Sequence, residues 1–298
     1  MKILVYGAGA IGSFFGGLLS DKNEVILVGR APHVHAINQS GLRISGLVEK
    51  VVYPRACTDL SDLEEQDIVI VTVKAYDTMK AAEAIAGIVG KETTIVSIQN
   101  GLNNISILDE KFGDRVIGGV TSIGVTHISP GHIRLAGKGD TIFGSLRKNL
   151  ERLRIIVEIF NQSGIESRPT ENIIGEIWLK VIVNSSINPI TAIVRKKNEC
   201  IMIEPELRDL AREICEEATV VARTSGIMLP LADPFQRVIE VVSATKENFS
   251  SMLQDIERGK KTEIDEITGA IVNQAKKIGI KVPINETIWR LVRALSVN

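Results

Sequence analysis

The chain is poor in the features that mark several whole classes of protein. Aromatic residues make up only 4% of its 298 residues, and 35 lysines and arginines nearly balance 36 aspartates and glutamates. Without a basic stripe interleaved with stacking rings, nucleic acid is not an expected partner. Cysteine is scarce: Cys57, Cys200 and Cys215 are odd in number, far apart and form no C-x-x-C, which suits a reducing compartment rather than a disulfide framework. Four histidines, His33, His35, His127 and His132, are joined by no cluster of cysteines or carboxylates. His33 and His35 stand two apart, a spacing that does not share a helix face, so no metal is expected. No apolar run approaches the ~18 residues that cross a bilayer. The apolar opening Ile3-Leu4-Val5 is short and leads into glycines instead of a cleavage site, so it reads as a buried strand. These absences lead to the expectation of a soluble, cytoplasmic protein without a membrane partner.

What is present begins at the N-terminus. Lys2-Ile3-Leu4-Val5-Tyr6 runs straight into Gly7-Ala8-Gly9-Ala10-Ile11-Gly12, a strand followed by G-x-G-x-x-G. Such a turn is weak evidence alone, but here a helical stretch over 11–19 follows and a second strand over 24–28 closes a βαβ unit. Gly7 permits the tight turn, Gly9 lets backbone approach a pyrophosphate, and Gly12 lets the helix pack on the strand with its free N–H groups facing the phosphates. The second strand ends in Gly29-Arg30, where an NAD site usually places an acid about 20 residues past the glycines. No acidic residue lies between Val25 and Gln39, and the Arg30 fork matches a 2′-phosphate. NADP is favoured over NAD, the alternative being a solvated Arg30 beside a backbone contact to the adenosine.

A chain of 298 residues with 44% hydrophobic content can bury two cores. Strand and helix patterns alternate through a strand at 67–73, a helix at 77–89, a strand at 93–98, a helix at 146–163 and a strand at 165–168, as a parallel sheet requires. Between Val116 and Phe143 short β-like pieces suggest an antiparallel extension of that sheet. Past Pro169 apolar residues recur at helical spacing over 171–194, 205–225, 233–256, 262–278 and 286–295. Thr262 and Asn285 read as N-caps. The fold class is therefore an α/β N-terminal Rossmann-type dinucleotide-binding domain, residues 1–169, with an all-α C-terminal domain, residues 170–298. With no repeat or low-complexity linker between them, the domains are expected to pack closely around a cleft.

Ligands of open α/β sheets bind outside the carboxyl ends of the strands. Lys74 and Asn100 follow two such ends, although a solvated lysine and an Asn-Gly turn fit the positions equally well. Within Glu176-Ile177-Trp178-Leu179-Lys180-Val181-Ile182-Val183-Asn184-Ser185-Ser186-Ile187-Asn188-Pro189, the polar residues Lys180, Asn184 and Asn188 stand four apart. They drift only about 80° around a helix axis and form one stripe. Apolar neighbours on the other faces suggest a buried helix whose lysine needs a partner or ligand, the alternative being a surface amphipathic helix. Pro189 implies a bend at the end of the stripe. Glu263, after the Thr262 cap, reads most simply as a carboxylate favouring a helix dipole.

Three elements together resemble the ketopantoate reductase family (2-dehydropantoate 2-reductases) over essentially the whole chain. They are Gly7-x-Gly9-x-x-Gly12; Trp178-Leu179-Lys180-x3-Asn184-x3-Asn188-Pro189-x-Thr191-Ala192; and Ser250-Ser251-Met252-Leu253-Gln254-Asp255 leading to Thr262-Glu263-Ile264-Asp265. The resemblance implies NADPH-dependent reduction of ketopantoate to (R)-pantoate, on the route to pantothenate and coenzyme A. By the same resemblance Lys180 is the catalytic lysine and Glu263 the carboxylate for the substrate hydroxyl. Asn100, Asn184, Asn188, Asn198 and Ser251 match substrate-contacting positions. The cofactor side comprises Gly7, Ala8, Gly9, Ala10, Ile11, Gly12, Arg30 and Lys74, with Asn100 and Glu263 facing both ligands. Arg195-Lys196-Lys197 ahead of Asn198 is more basic than the family pattern. A relative acting on another small 2-keto or hydroxy acid, or a non-catalytic NADP-sensing protein, would share the architecture. Whether the chain pairs as a homodimer is left open by its sequence.

Overall fold

The computed structural model describes residues 1–295, which form two compact units: Met1–Gln99 with Asn104–Ile173, and Asn100–Asn103 with the chain from Ile174 onward. In the first unit β1 (Lys2–Tyr6), α1 (Ala10–Leu19), β2 (Glu24–Val28) and α2 (Ala31–Ser40) lead into β3 (Leu42–Gly46), β4 (Lys50–Val52) and β5 (Arg55–Cys57). Then come β6 (Ile68–Val71), α3 (Thr78–Ile85), β7 (Thr94–Ser97), α4 (Asn104–Phe112) and β8 (Val116–Thr121). β9 (Gly124–Ser129), β10 (His132–Gly137), β11 (Thr141–Ser145), α5 (Leu150–Gln162) and β12 (Ser167–Pro169) complete it.

The main sheet has the order β12-β11-β8-β7-β6-β1-β2-β5, parallel throughout except where β11 runs against β8. Strands covered on both faces read as unbroken apolar runs, and Ile68-Val69-Ile70-Val71 is buried along its whole length. The chain leaves β1 toward β2 and β5 on one side and returns through β6 and β7 on the other. The strand order therefore reverses between β1 and β6, the position where an open sheet of this kind leaves a crevice beyond its carboxyl ends.

The expected antiparallel extension is only half present. β8 and β11 extend the main sheet, but β9 and β10 leave it to join β3 and β4 in a second sheet of order β4-β3-β10-β9. The reason lies in α1, seven of whose ten residues are buried. A Cβ on Gly16 would strike Leu27 and Val5 of the main sheet, whereas one on Gly17 would meet Leu42, Val52 and Ile44 of the second. A helix apolar on all sides needs cover on both faces, and the second sheet supplies it. Phe15 continues the layer to α5, with ring centroids 5.4 Å from Phe160, which in turn stands edge-on to Phe143 at 4.8 Å.

The second unit is helical: α6 (Ile173–Val194, from the last residue of the first unit), α7 (Cys200–Ile203), α8 (Pro205–Thr224), α9 (Pro234–Ala244), α10 (Ser251–Glu257), α11 (Thr268–Lys277) and α12 (Pro283–Leu295). α8 buries Ala211, Ile214, Cys215, Ala218 and Ala222 at spacings of three and four, and packs against α7, α9, α11 and α12. Several expectations are corrected here. Residues 233–256 form two helices, because the chain turns out at Thr245 and restarts at the Ser250 cap. α6 itself runs through Pro189 to Val194, the C-terminal bound expected from the helical spacing. α6 is also long and apolar enough to cross a membrane by length and composition, contrary to expectation, but 78% of its most apolar window is buried inside the protein. Asn285 lies inside α12, fully buried, donating to the Ile214 carbonyl; Glu217 accepts from the backbone N–H groups of Ile284 and Asn285. Thr262 caps no helix. Ile267 N–H reaches the Glu263 carbonyl as in a helix, but Gly269 N–H reaches back five residues to Ile264, so residues 262–267 form turns and α11 starts at Thr268.

Candidate active site

In the first unit the glycine turn is held as a rigid cradle. Gly7 takes φ +116°, and the amides of Gly7 and Ala8 both donate to the Val28 carbonyl, at 3.1 and 2.7 Å. Thr72, just past β6, donates its hydroxyl to the Gly7 carbonyl at 2.9 Å. A Cβ at Gly7 would lie 2.6 Å from the Val73 nitrogen, and one at Gly12 would lie 2.3 Å from the Gly7 oxygen and 2.4 Å from Thr72 Oγ1. The protein's own packing thus requires both glycines. Gly9 is different, because a Cβ there would have only the Gly7 oxygen near it, at 3.9 Å. Its backbone is extended, with φ −83° and ψ −158°, and it is exposed at the N-cap of α1. Bare backbone at this point leaves room for a group held against the helix start, where the amides of Ala10, Ile11 and Gly12 have no intrahelical acceptor. The residues present therefore fit a pyrophosphate.

Arg30 follows β2 as the exposed N-cap residue of α2, one residue after Gly29, whose amide donates to the Cys57 carbonyl. Lys74 follows β6 and caps a short turn of 3₁₀ helix over Ala75–Asp77. Gln99, which sequence reasoning missed, braces that turn: its Nε2 donates to the Val73 carbonyl at 3.0 Å and to Thr78 Oγ1 at 2.8 Å, while Ser97 donates to its Oε1. Its signal was present, since Gln99 stands at the same strand end as Asn100, but its partner Thr78 is the first residue of α3, which follows a different strand.

His33 and His35 do not act together. His33 is buried and His35 exposed. The Gly131 amide donates to His33 Nδ1 at 2.9 Å and Ser13 Oγ lies 2.9 Å from Nε2, so the ring is neutral with its proton on Nε2. Burial, with the neighbouring His127, lowers its pKa to about 4. Among the described residues no group of three or more metal-ligating side chains comes together.

In the second unit α6 carries the stripe. From Ile177 to Ala192 every residue is buried except Lys180, Asn184 and Asn188, so the three polar side chains line the one open edge of an otherwise enclosed helix. Burial lowers the Lys180 pKa to about 8, against the opposing pull of the Glu263 carboxylate. Glu263 is itself buried, at 5% exposure, and accepts from Asn100 Nδ2 at 3.3 Å. Asn100 belongs to this unit through the segment Asn100–Asn103. Lys180, Glu263 and Asn100 thus form one cluster assembled from residues far apart in the chain. The helix-dipole reading of Glu263 fails because no helix begins at Thr262.

Toward the other end of the stripe, Thr191 Oγ1 donates to Ser250 Oγ at 2.8 Å, and Ser250 caps α10 by accepting from the Leu253 amide. This contact brings Ser251, exposed at the first position of α10, to the helix turn beyond Asn188. Asn198 is buried beside α9, with Nδ2 donating to Thr245 Oγ1 at 2.9 Å; no described residue pairs with its buried Oδ1. The basic run before it is explained locally: Arg195 ends α6 at φ +56°, Lys196 pairs with Glu204 and Lys197 with Glu247.

Comparison with known proteins matches residues 3–148 to the family model described as ketopantoate reductase PanE/ApbA, and residues 172–296 to its C-terminal counterpart. The 2-dehydropantoate 2-reductase of Pyrococcus abyssi is 42% identical, covering 98% of this chain and 97% of the relative, and that of Archaeoglobus fulgidus is 39% identical over 99% and 97%. Among solved structures, a PanE/ApbA family ketopantoate reductase from Ralstonia eutropha superposes with a TM-score of 0.92 at 31% identity, covering 99% and 98% of the two chains. A D-mandelate dehydrogenase bound to NADH and anilino(oxo)acetate gives 0.93 at 26% identity, with the same coverage.

Proposed function

The chain belongs to the ketopantoate reductase family, and from that premise we propose that it reduces 2-dehydropantoate to (R)-pantoate with NADPH, using Lys180 as proton donor. The observation that carries the assignment is Lys180, on the open edge of an otherwise apolar helix and coupled to the buried Glu263 carboxylate, with the lysine pKa brought down to about 8. A bound nicotinamide dinucleotide supplies the hydride to the keto carbon. As negative charge develops on the carbonyl oxygen, the Lys180 ammonium meets it and gives up a proton, leaving a neutral amine in a site that disfavours charge. Glu263 keeps the lysine protonated before that step and accepts a hydrogen bond from the substrate's primary hydroxyl. Asn184 and Asn188 orient the keto acid, Ser251 donates to its carboxylate, and Asn100 holds the Glu263 carboxylate in place. The unpaired Oδ1 supports a contact from Asn198 as well.

On the cofactor side Gly7, Ala8, Gly9, Ala10, Ile11 and Gly12 cradle the pyrophosphate. Arg30 meets the 2′-phosphate, which supports NADP over NAD, and Lys74 is a second cation at the sheet's carboxyl edge. The likeness to a D-mandelate dehydrogenase that binds NADH favours a second reading, reduction of another 2-keto acid with NADH. One assay decides between them: NADPH and NADH consumption is followed with 2-dehydropantoate and with phenylglyoxylate as its competitor. The proposal expects kcat/KM to be greatest for NADPH with 2-dehydropantoate; a higher value with the aryl keto acid and NADH overturns it.

A further inference from the structure

We propose that Trp289 and Asp265 form a positioning pair that sets the pose of Glu263 and thereby the affinity for the keto acid. The inference rests on the reading that Glu263 meets the substrate. Glu263 sits in a turn rather than a helix, so the regular hydrogen-bond ladder does not fix its direction. Thr262, Glu263 and Ile264 are buried, and from the C-terminal side the turn is tied by the Ile267 and Gly269 amides. A further tie, close to Glu263 in the chain, comes from α12. Trp289 Nε1 donates to Asp265 Oδ1 at 2.7 Å, and Arg293, one helical turn further, brings Nε to 3.5 Å from the same oxygen.

The indole is itself held in one place. A Cβ on Gly269 would lie 2.8 Å from Trp289 Nε1 and 3.2 Å from Cε2, so the ring rests on bare backbone at the start of α11. Lys276 Nζ stands 5.6 Å from the ring centroid and the Arg293 guanidinium 5.1 Å, two cations that favour the ring's face and leave its N–H directed at the carboxylate. An ion pair from Arg293 alone would neutralise Asp265 without fixing it, because both groups are substantially exposed and the arginine side chain is long. A short bond from a rigid ring locked against glycine does fix it. Asp265 stands two residues from Glu263, at the half-exposed end of the same turn, so a displacement at one is carried to the other through a single intervening residue. The pair touches neither ligand; it acts through Glu263.

The test is a double-mutant cycle on the full-length enzyme, with 2-dehydropantoate and NADPH as substrates. Trp289→Phe removes the N–H and keeps the ring. It is expected to raise KM for the keto acid about tenfold, the loss of roughly one hydrogen bond to a charged group, with NADPH affinity unchanged. In a Glu263→Ala background the same change should add less than twofold, because its route to the substrate is already gone. Gly269→Ala, which pushes the indole off its seat, should reproduce the Trp289→Phe pattern and serves where that variant folds poorly. Asp265→Asn, which retains an acceptor oxygen, should restore most of what Asp265→Ala loses. An equal KM effect of Trp289→Phe in both backgrounds, or a lowered melting temperature with KM unchanged, overturns the proposal. Glu263→Ala with wild-type KM and kcat would instead overturn the reading of Glu263 itself, and the positioning pair with it.

Discussion

Replacing Glu263 with glutamine should move the pH dependence of the enzyme in a direction that the structure specifies. Two causes act on Lys180: burial pulls its pKa down to about 8 from 10.5, and the Glu263 carboxylate opposes that pull. A proton donor works only while protonated, so kcat/KM should hold below that value and fall as pH rises through it. Removing the opposing charge deprives the ammonium of its partner, and an adjacent unit charge is worth about one pKa unit or more. The alkaline limb should therefore shift from about pH 8 to about pH 7 or below. With the limb at about pH 7, the protonated fraction at pH 8 falls from about one half to about one tenth, while at pH 6 about nine-tenths of the variant remains protonated. Glutamine also weakens the contact to the substrate hydroxyl, but that loss scales the whole profile and does not move its limb. The measurement is kcat/KM for NADPH-dependent reduction at half-unit pH steps for both enzymes. A limb that stays in place, or moves upward, refutes the electrostatic coupling of Lys180 to Glu263.

Three further expectations concern the first unit. Arg30→Ala should weaken NADPH by about 1.5 to 3 kcal/mol, one charge-assisted phosphate contact, and NADH far less; equal losses by fluorescence titration would remove Arg30 from 2′-phosphate recognition. Gly9→Ala should leave the melting temperature unchanged yet weaken dinucleotide binding, whereas Gly12→Ala should lower the melting temperature, because only the second Cβ collides with the protein; the reverse pattern in thermal melts and titrations contradicts the cradle. His33 is neutral in the fold with a pKa of about 4, below its unfolded value near 6.5, so its contribution is complete above pH 6.5 and lost as pH falls toward 4. The loss is capped at roughly 3 kcal/mol and reduced by solvent screening. Denaturant melts of wild type and His33→Gln across that window should converge at low pH; a constant gap would show that the histidine does not titrate on unfolding.

The local part of this fold was legible because it is written in periodicities. The unbroken apolar strands announce a parallel sheet, and the four-residue spacing of Lys180, Asn184 and Asn188 already implied the edge that the structure exposes. What sequence could not supply is non-local pairing. Nothing in residues 42–57 says that β3 will run beside β10, and the pattern around Gly131 fits an extension of the main sheet as well as a second one. At Thr262 the residues Glu263, Ile264 and Ile267 have helical spacing, but Gly269 closes on Ile264 and shifts the ladder by one residue, so the helix starts late. That shift is what frees Glu263 from the simpler reading as a dipole partner. Its contact with Asn100 spans 163 residues and was reachable only through the family resemblance.

The central claim is that Lys180 supplies the proton, and replacing it with alanine tests this most directly. Steady-state consumption of NADPH with 2-dehydropantoate gives turnover, and fluorescence titration gives cofactor affinity. The account predicts a kcat lowered by about 10²- to 10⁴-fold, the usual contribution of a general acid, with NADPH affinity and melting temperature close to wild type. A kcat within tenfold of wild type would contradict it.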